Sequence, residues 1–531
     1  YLEETDGDMS VGTMFSQTGD IDLLSDGSIL DASNEDFNNI LANNVTLRSI
    51  NGSIGTMANA LDIQTRGDDP TDNPGLLTAF ASGDISIIET VGNMMIRNVY
   101  TEGGNVRLEA NLSILDAIDV ADVDNIASAN ITPVGGDQLV VDVTGLDITL
   151  IANIGGIGEF GNDLDIDSRF DGINGVVTVQ SRLDTNLREG THAGESALTA
   201  GDIYLNTAGV SGGDGTTAYI TATVGAIFNG AMAAASNVTS GRVFLSANKA
   251  IGTSTNALQT TVGTIQSIST NGSTYVVNDG DLTVQAFKVG GGSLGQSSGA
   301  DIILTAQSPV TVSSDILSAT NILITATEDG DTETDDIRVL NGISVISTGG
   351  TVTLNAGDDI IIEENALVQG NGLVTLTVDI DGAFDDETGG LVDIIGTVRS
   401  VTDDVNINGN ADRDRFDLDA LGLVQASTGA VIVDLGAEKD TLIVDAGTII
   451  AATIALRGGA NDDTIILQPN ATLTGIATLE GGTGEDLIQI NLLKTQSAGD
   501  SLAIDGGQGT DHIAIQLHGS QTAGSDYVID V

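Results

Sequence analysis

The sequence predicts an all-β protein, a parallel β-helix (β-solenoid) with few or no helices. Three observations support this fold class. Short segments alternate apolar and polar residues with the period of a strand, and longer sequence units recur along the chain. The composition, with 3% aromatic residues and 5 prolines in 531 residues, lacks the bulky core anchors typical of β-sandwich domains.

The strand segments share a small turn residue, then two aliphatic residues at alternate positions, then Ala, Ser or Asn. Examples are 43–50, 146–153, 241–248, 300–307 and 350–357. Glycine, Asn and Asp separate them, as expected of turns. Two segments, 34–44 and 115–130, are predicted as short helices. Three others, 67–75, 184–200 and 327–336, are predicted as loops.

A longer unit occurs three times, as VTLRSINGSIGTMANALDI (45–63), ITLIANIGGIGEFGNDLDI (148–166) and VFLSANKAIGTSTNALQT (243–260). Its shared frame is an Ile-Gly pair followed by Asn-x-Leu. The pairs begin at Ile54, Ile157 and Ile251, which are 103 and 94 residues apart. Repetition of this kind favours stacked coils over independent domains.

Near the carboxyl end, Gly/Asp-rich turns begin at Gly409, Leu435, Gly458, Gly481 and Gly506, with steps of 26, 23, 23 and 25 residues. A step of about 24 residues suits one coil, and each coil adds about 4.8 Å. The whole chain would then form at most about 22 coils, a rod roughly 100 Å long.

The charge and composition exclude several function classes. Lys and Arg number 17 against 75 Asp and Glu, a net charge of −58, so binding to nucleic acid is not expected. No apolar run approaches the roughly 20 residues of a membrane helix, so membrane insertion is not expected either. With no cysteine, disulfides and thiolate metal sites are impossible. The chain starts at Tyr1 without Met and stops in a strand-like segment, so we expect a mature product or an excerpt of a longer chain.

The Ile-Gly and Asn-x-Leu units, with strands led by Gly-Asp, resemble the filamentous-haemagglutinin type of secreted bacterial β-helix, over roughly residues 15–400. The resemblance implies a right-handed parallel β-helix, secretion to the cell surface, and an adhesive or structural role. We therefore predict haemagglutinin-like repeats with loop insertions in 1–400, and a continuing β-helix with Gly/Asp-rich turns in 401–531.

The turns at 409–417, 435–443, 458–466, 481–489 and 506–514 look like the calcium-binding nonapeptide of the repeats-in-toxin family, Gly-Gly-x-Gly-x-Asp-x-aliphatic-x. The last two match every fixed position, and the first two are degenerate. Here the motif occurs once per coil and not in tandem, so ions would lie between the same corner of successive coils. The resemblance implies calcium at a set of aspartates and corner residues, namely Asp440, Asp463, Asp486, Asp511, Gly458, Gly481, Thr483, Gly506 and Gln508. The chemistry agrees, because glycine turns expose carbonyls and Ca²⁺ prefers oxygen ligands. The alternative is that each Asp hydrogen-bonds its own turn as an Asx-turn.

Four other motifs are attributed to the repeat pattern. GIGEFG (156–161) lacks the helix that a phosphate loop requires, and GQSSG (295–299) lacks the strand-to-helix turn of a hydrolase nucleophile. The Arg-Gly-Asp tripeptide at 66–68 arises readily by chance. The alternating carboxylates of 163–168 are predicted to form a solvated strand face.

The favoured function is a non-enzymatic extracellular fibre or cell-surface protein that self-associates into filaments or continues in a longer chain, with divalent cations bridging its acidic surface. One alternative is a polysaccharide lyase or hydrolase, by fold analogy alone. Another is the stalk of a secreted toxin or autotransporter passenger.

Overall fold

A computed structural model of the protein describes residues 1–33, 38–66, 75–117, 141–190, 201–213, 215–231, 236–287, 294–307, 309–327, 334–380, 389–492, 501–517 and 526–530. The described residues contain strands and turns and no α-helix, which confirms the predicted all-β class. Accordingly, none of them belongs to a helix long and apolar enough to cross a membrane.

The chain divides into two compact units, unit 1 (1–263) and unit 2 (264–531). The strands β1 to β24 belong to unit 1. In chain order they are Leu2–Glu4, Met9–Val11, Met14–Phe15, Ile21–Ser25, Ile29–Asp31, Ile40–Ala42, Val45–Ser49, Leu61–Thr65, Leu76–Ala81, Ile85–Glu89, Met94–Thr101, Val106–Ala110, Ile114–Asp116, Val143–Thr144, Ile148–Ala152, Leu164–Asp167, Arg169–Phe170, Ile173–Asn174, Val177–Ser181, Thr185–Glu189, Ile203–Val210, Thr217–Ala222, Ile227–Asn229 and Val238–Ala247.

Strand β25 (Leu258–Ser269) contains the boundary, and β26 to β52 belong to unit 2. In chain order these are Thr274–Asn278, Leu282–Val284, Gln296–Ser298, Ile302–Ala306, Val310–Val312, Ile316–Ser318, Ile322–Ala326, Ile337–Val339, Ser344–Ser347, Val352–Ala356, Ile360–Ile362, Leu367–Gly370, Val374–Thr377, Leu391–Ile394, Thr397–Ser400, Val405–Asn408, Arg415–Leu418, Leu423–Ala426, Ala430–Asp434, Thr441–Val444, Thr448–Ala460, Thr464–Leu467, Thr472–Gly484, Leu487–Leu492, Ser501–Gly509, His512–Leu517 and Asp526–Asp530.

In unit 2 each strand pairs in parallel with the strand three positions later over most of the chain. Thus β29 pairs with β32 and β32 with β35, so that Ile302, Ile322 and Val352 stand in one row. Three such series run side by side, which is the topology of a β-helix with three strands per coil. The parallel β-helix prediction is confirmed for this unit, while its handedness stays a prediction.

In unit 1 the pairing is again parallel between successive coils, with strands such as β12, β15 and β19 in one series. Val106, Ile148 and Val177 form one row of that series and are at most 1% exposed. The exception among the described pairs is the antiparallel hairpin β17–β18, which leaves the coil after Ser168.

Aliphatic rows of this kind make the core of each unit. Along β12 the burial alternates residue by residue, so Val106, Leu108 and Ala110 point inward while the residues between them face outward. Each inward aliphatic side chain contributes about 1.5–3 kcal/mol by leaving water. Phe416 is the largest of the fully buried side chains, so the cores are filled almost wholly by Val, Ile, Leu and Ala.

The Ile-Gly…Asn-x-Leu unit is a bulge that interrupts a strand without breaking its pairing. Ile54 bridges Ile85 and Leu61 pairs with Ile87, so both sides of the bulge bind the same strand, β10, of the next coil. Gly55 has a φ of 63°, and a Cβ there would lie 2.3 Å from the Ser86 carbonyl oxygen. Glycine is therefore required by both conformation and space.

The asparagine of the unit closes the same bulge. Asn59 donates its backbone N–H to the Thr56 carbonyl at 3.1 Å, and its amide Nδ2 donates to the carbonyl of Ser33 in the preceding coil at 3.3 Å. Asn162 and Asn256 make the equivalent side-chain bonds to Asp116 and Asn229. The repeated motif therefore encodes one local structure three times.

The predicted helix at 34–44 is wrong where it can be compared, since Ile40–Ala42 is strand β6; residues 34–37 lie outside the described chain. Ile40 and Ala42 point into the core, and Ile40 pairs with Met14 and Ile63, so coil-to-coil pairing overrides local preference.

The predicted helix at 115–130 is also wrong at its start, where 115–116 belong to β13, and 118–130 lie outside the description. The predicted loop at 184–200 includes strand β20, while 191–200 lie outside. Most of the predicted loops at 67–75 and 327–336 lies outside as well.

The bulge gives a test of the packing. Gly55→Ala should destabilise unit 1 by about 2 kcal/mol or more, because a side chain meets both a left-handed φ and the backbone of the next coil. Urea unfolding of the variant measures the loss. Gly12→Ala is the control, since a Cβ there meets nothing within 4 Å. Equal midpoints for the two variants would contradict this account of the motif.

Candidate functional site along the aspartate ladder

The Gly/Asp-rich corners of unit 2 stack in register. Strands β46, β48 and β50 continue through their glycines, so that Gly459, Gly482 and Gly507 form one row. The corners that begin at Gly458, Gly481 and Gly506 therefore lie on one another, as the sequence predicted. A Cβ at Gly482 would lie 1.9 Å from the Gly459 carbonyl oxygen, so this close stacking requires glycine.

The aspartates of these corners form a hydrogen-bonded ladder. The backbone N–H of each Asp donates to Oδ1 of the Asp one coil later. The distances are 2.8 Å from Asp414 to Asp440, 2.9 Å from Asp440 to Asp463, 2.8 Å from Asp463 to Asp486 and 3.1 Å from Asp486 to Asp511. Each rung thus joins two coils through one carboxylate.

The second carboxylate oxygen of three rungs is buried without a hydrogen-bond partner. These are Oδ2 of Asp440, Asp463 and Asp486, and each residue is only 2% exposed. Oδ2 of Asp463 lies against the first glycine of its own turn, where a Cβ on Gly458 would be 2.5 Å away. The first motif glycine is therefore required by the carboxylate that packs on it.

Burial of these carboxylates disfavours their charged form. It raises the pKa of Asp440 to about 9 and that of Asp463 to about 7, and it raises the pKa of Asp486. The neighbouring carboxylates of the ladder add to the rise, because stacked negative charges repel. A proton or a cation at Oδ2 would relieve both effects.

The ladder begins before the predicted calcium turns. Asp335 donates its N–H to Oδ2 of Asp358 at 2.8 Å, and Gly390 donates its N–H to Oδ1 of Asp414 at 2.8 Å. All four residues precede their first core residue by two positions in one series of paired strands. The sequence analysis missed Asp335 and Asp358. The detectable signal was an Asp two residues before a buried aliphatic, without any Gly-Gly turn.

Corner oxygens join coils in unit 1 as well. Oδ1 of Asp84 accepts from the N–H of Asn105 at 2.8 Å, Oδ1 of Asn105 from Asp147 at 3.1 Å, and Oδ1 of Asp147 from Val176 at 2.9 Å. The same device therefore appears without repeats-in-toxin-like turns.

Two glutamates of unit 1, which the sequence analysis did not single out, point into the core at 0% exposure. Oε2 of Glu89 accepts the N–H of Thr65 at 2.7 Å and its hydroxyl at 2.9 Å. Oε1 of Glu189 accepts the same two groups of Ser168 at 3.0 and 3.1 Å. Burial raises the pKa of both carboxyls. Each caps a strand end from which the chain leaves the coil.

The donor set fits a hard cation in part. The orphaned Oδ2 atoms of Asp440, Asp463 and Asp486 are the kind of ligand that Ca²⁺ takes. The Thr483 carbonyl already accepts the Asn461 N–H at 2.6 Å. Among the described residues, no three His, Cys, Asp or Glu side chains come together as a metal-binding group. A cation here would therefore depend on the Oδ2 atoms together with corner carbonyls.

The Asx-turn alternative applies to one rung. Oδ2 of Asp414 accepts the N–H of Asn410 in its own turn at 2.7 Å. For Asp440, Asp463 and Asp486, the side-chain bond goes to the neighbouring coil and Oδ2 has no partner. These aspartates are therefore coil-to-coil caps.

The remaining motifs belong to the scaffold where they are described. Gly158 and Gly161 lie in the Ile-Gly bulge, and Gln296–Ser298 is strand β28, with no helix in the described residues after either. In the acidic segment, Asp165 pairs with Arg188, but Asp167 is only 1% exposed, so the fully solvated face predicted for 163–168 is wrong at that residue. Two residues of the Arg-Gly-Asp tripeptide, 67 and 68, lie outside the description.

Comparison with known proteins adds no relative: no family model, no curated protein and no solved structure matches the chain.

The raised pKa of Asp463 predicts a pH dependence in the presence of a chelator. A folded-state pKa of about 7, above the value near 4 of an unfolded Asp, stabilises the fold fully below about pH 4. This stabilisation is lost as the pH rises through 7, by at most about 4 kcal/mol. Hydrogen exchange of peptides from 458–492 measures it.

Asp463→Asn is the matched variant, because the amide keeps an oxygen for the Asp440 N–H and does not titrate. Its stability should fall less steeply between pH 4 and 7 than that of the parent. Identical pH profiles would show that Asp463 stays ionised in the fold.

Proposed function

We propose that the protein is a non-enzymatic structural or adhesive fibre segment of a cell surface. The proposal rests on one observation: coil after coil, the polar side chains at the corners are used to join one coil to the next. Asp84, Asn105 and Asp147 do so in unit 1, and Asp440, Asp463 and Asp486 do so in unit 2. Such side chains serve the continuity of the stack.

The basic residues support the same proposal. Lysine and arginine number 17, and many lie on outward faces in ion pairs with carboxylates of the same or an adjacent coil. Arg48 pairs with Asp22, Lys439 with Asp462, and Arg457 with both Asp434 and Glu480. Cleavage of acidic polysaccharides requires cationic groups gathered around a carboxylate, and these cations are instead spread along the coils.

The acidic surface suggests how copies associate. A net charge of −58 would keep separate chains apart in low salt, and divalent cations would allow their surfaces to approach. We therefore include self-association into filaments, or continuity with a longer chain, in the proposed function.

Calcium is the proposed cation at the ladder. Its support is the resemblance of the turns to the repeats-in-toxin nonapeptide together with the orphaned Oδ2 atoms of Asp440, Asp463 and Asp486. A cation bound only by the folded corners would stabilise unit 2 by mass action, increasingly as its concentration exceeds the dissociation constant.

Electron microscopy of the native material, with and without calcium, tests the fibre role. We expect continuous fibres or a surface layer, and association that increases with calcium in sedimentation. The same material should not cleave pectic, alginate or neutral glycans. Strictly monomeric protein at high concentration with calcium would contradict self-association, and turnover abolished by a single Asp→Asn change would contradict the non-enzymatic role.

Calcium binding has its own test. Asp486→Ala should weaken the sites on both sides of its corner, because that corner faces one coil above and one below. Calcium should raise the thermal midpoint and the protease resistance of residues 400–531 in the parent, and should do so less in the variant. Asp403→Asn, on an exposed corner away from the ladder, is the control and should respond like the parent. If chelator changes nothing in the parent, the ladder holds no calcium.

A further inference from the structure

One position recurs in the three repeats of unit 1, next to the strand end that precedes each bulge. Its occupants are Asn39, Asp142 and Asn237. Each donates its backbone N–H to a carbonyl of the next coil, at 2.9, 2.9 and 2.7 Å respectively. Each also accepts a backbone N–H on its own carbonyl from the preceding coil, at 2.7, 2.7 and 2.6 Å. The three residues are therefore structural equivalents.

One side of each side chain is equivalent too. A side-chain oxygen accepts a backbone N–H from the next coil, from Asp62 to Asn39, from Asp165 to Asp142 and from Gln259 to Asn237. All three distances are 2.9 Å.

The other side of the side chain is a donor in the two asparagine repeats. Nδ2 of Asn39 donates to Oδ1 of Asp31 at 2.5 Å and to the Val11 carbonyl at 3.1 Å. Nδ2 of Asn237 donates to Oδ1 of Asn229 at 2.9 Å and to the Leu205 carbonyl at 2.9 Å. The position therefore faces acceptors.

The middle repeat places two carboxyl groups at this contact. Asp116 ends strand β13 and pairs with Ile96, as Asp31 pairs with Val11 and Asn229 with Leu205. Its side chain is hydrogen-bonded to that of Asp142. Two ionised carboxylates have no hydrogen to share, so one of them must carry a proton to make this bond.

We infer that Asp116 and Asp142 share one proton, which takes the place of the amide hydrogen that Asn39 and Asn237 supply in the sister repeats. The middle repeat is thereby a proton-binding site that the other two lack. Because this clasp joins the ends of segment 117–141, 25 residues long against 7 in each sister repeat, its protonation sets how firmly those ends are held.

The surroundings of Asp142 favour the proton. Burial raises the pKa of Asp142 well above its usual range, and the charge of Asp116 raises it further. The other nearby charge is Asp165 on β16, which is paired with Arg188 of β20. Strand β11 also packs here, and its charged side chain is the partly exposed Arg97.

The sign of the linkage follows from the raised pKa. The protonated clasp stabilises this coil fully below about pH 4, where an unfolded Asp is protonated as well. As the pH rises from there to the folded-state pKa, the local opening constant should increase about tenfold per pH unit and then level off.

Hydrogen exchange of peptides covering 141–152, expressed as protection factors from pH 4 to 9, measures that opening constant. The parent should lose protection over this range, while Asp142→Asn, which restores the amide of the sister repeats, should show a flat profile. Asp116→Asn should also flatten the profile, because its amide can donate to an ionised Asp142. Persistence of the pH dependence in Asp116→Asn would show that Asp142 titrates alone and would overturn the shared proton.

A gain-of-function variant guards against misfolding of the first two. Asn39→Asp opposite Asp31 should create the same acid pair in the first repeat and confer a new pH dependence on peptides covering 38–49. Peptides covering 236–247, whose Asn229–Asn237 contact is unchanged, are the internal control. Parallel pH profiles in parent and Asp142→Asn, or no new dependence in Asn39→Asp, would contradict the proposal.

Discussion

The structure depends on a hydrogen bond between a corner side-chain oxygen and a backbone N–H of the adjacent coil. Parallel pairing joins strands along each face, but at a corner the backbone turns away and its N–H groups lose their partners. Asp and Asn supply the missing acceptor, as Asp84, Asp147 and Asp463 do. The acidic composition is in this sense partly a consequence of the fold, because each coil has several corners to satisfy.

Much of the fold could be predicted from local patterns. Alternation of apolar residues gave the strands, and the steps between Gly458, Gly481 and Gly506 gave the coil length and the stacking of the corners. The errors arose where a residue's partners are distant. Ile40 lies in a strand because Met14 and Ile63 flank it, 26 and 23 residues away, and a local window contains neither.

The site was predicted by residue type more than by contact. The aligned aspartates were expected, but their bonds to the backbone of the neighbouring coil were not, since motif spacing says nothing about which atoms meet. Asp335 and Asp358 escaped notice because they use the same rung without glycine turns. Glu89 and Glu189 were missed because an inward-facing Glu contradicts the usual polarity of a strand; the loss is offset by the strand ends that they cap.

The rungs of unit 2 also point the same way: the N–H of one coil meets the carboxylate of the following coil from Asp414 through Asp511. Each coil therefore depends for this bond on its successor alone, and the energetics are those of nearest neighbours along a line. A defect in one coil weakens its two junctions and leaves more distant ones intact. Fraying should then advance rung by rung, so resistance to unravelling under load would increase with the number of coils crossed and not with the strength of any single one.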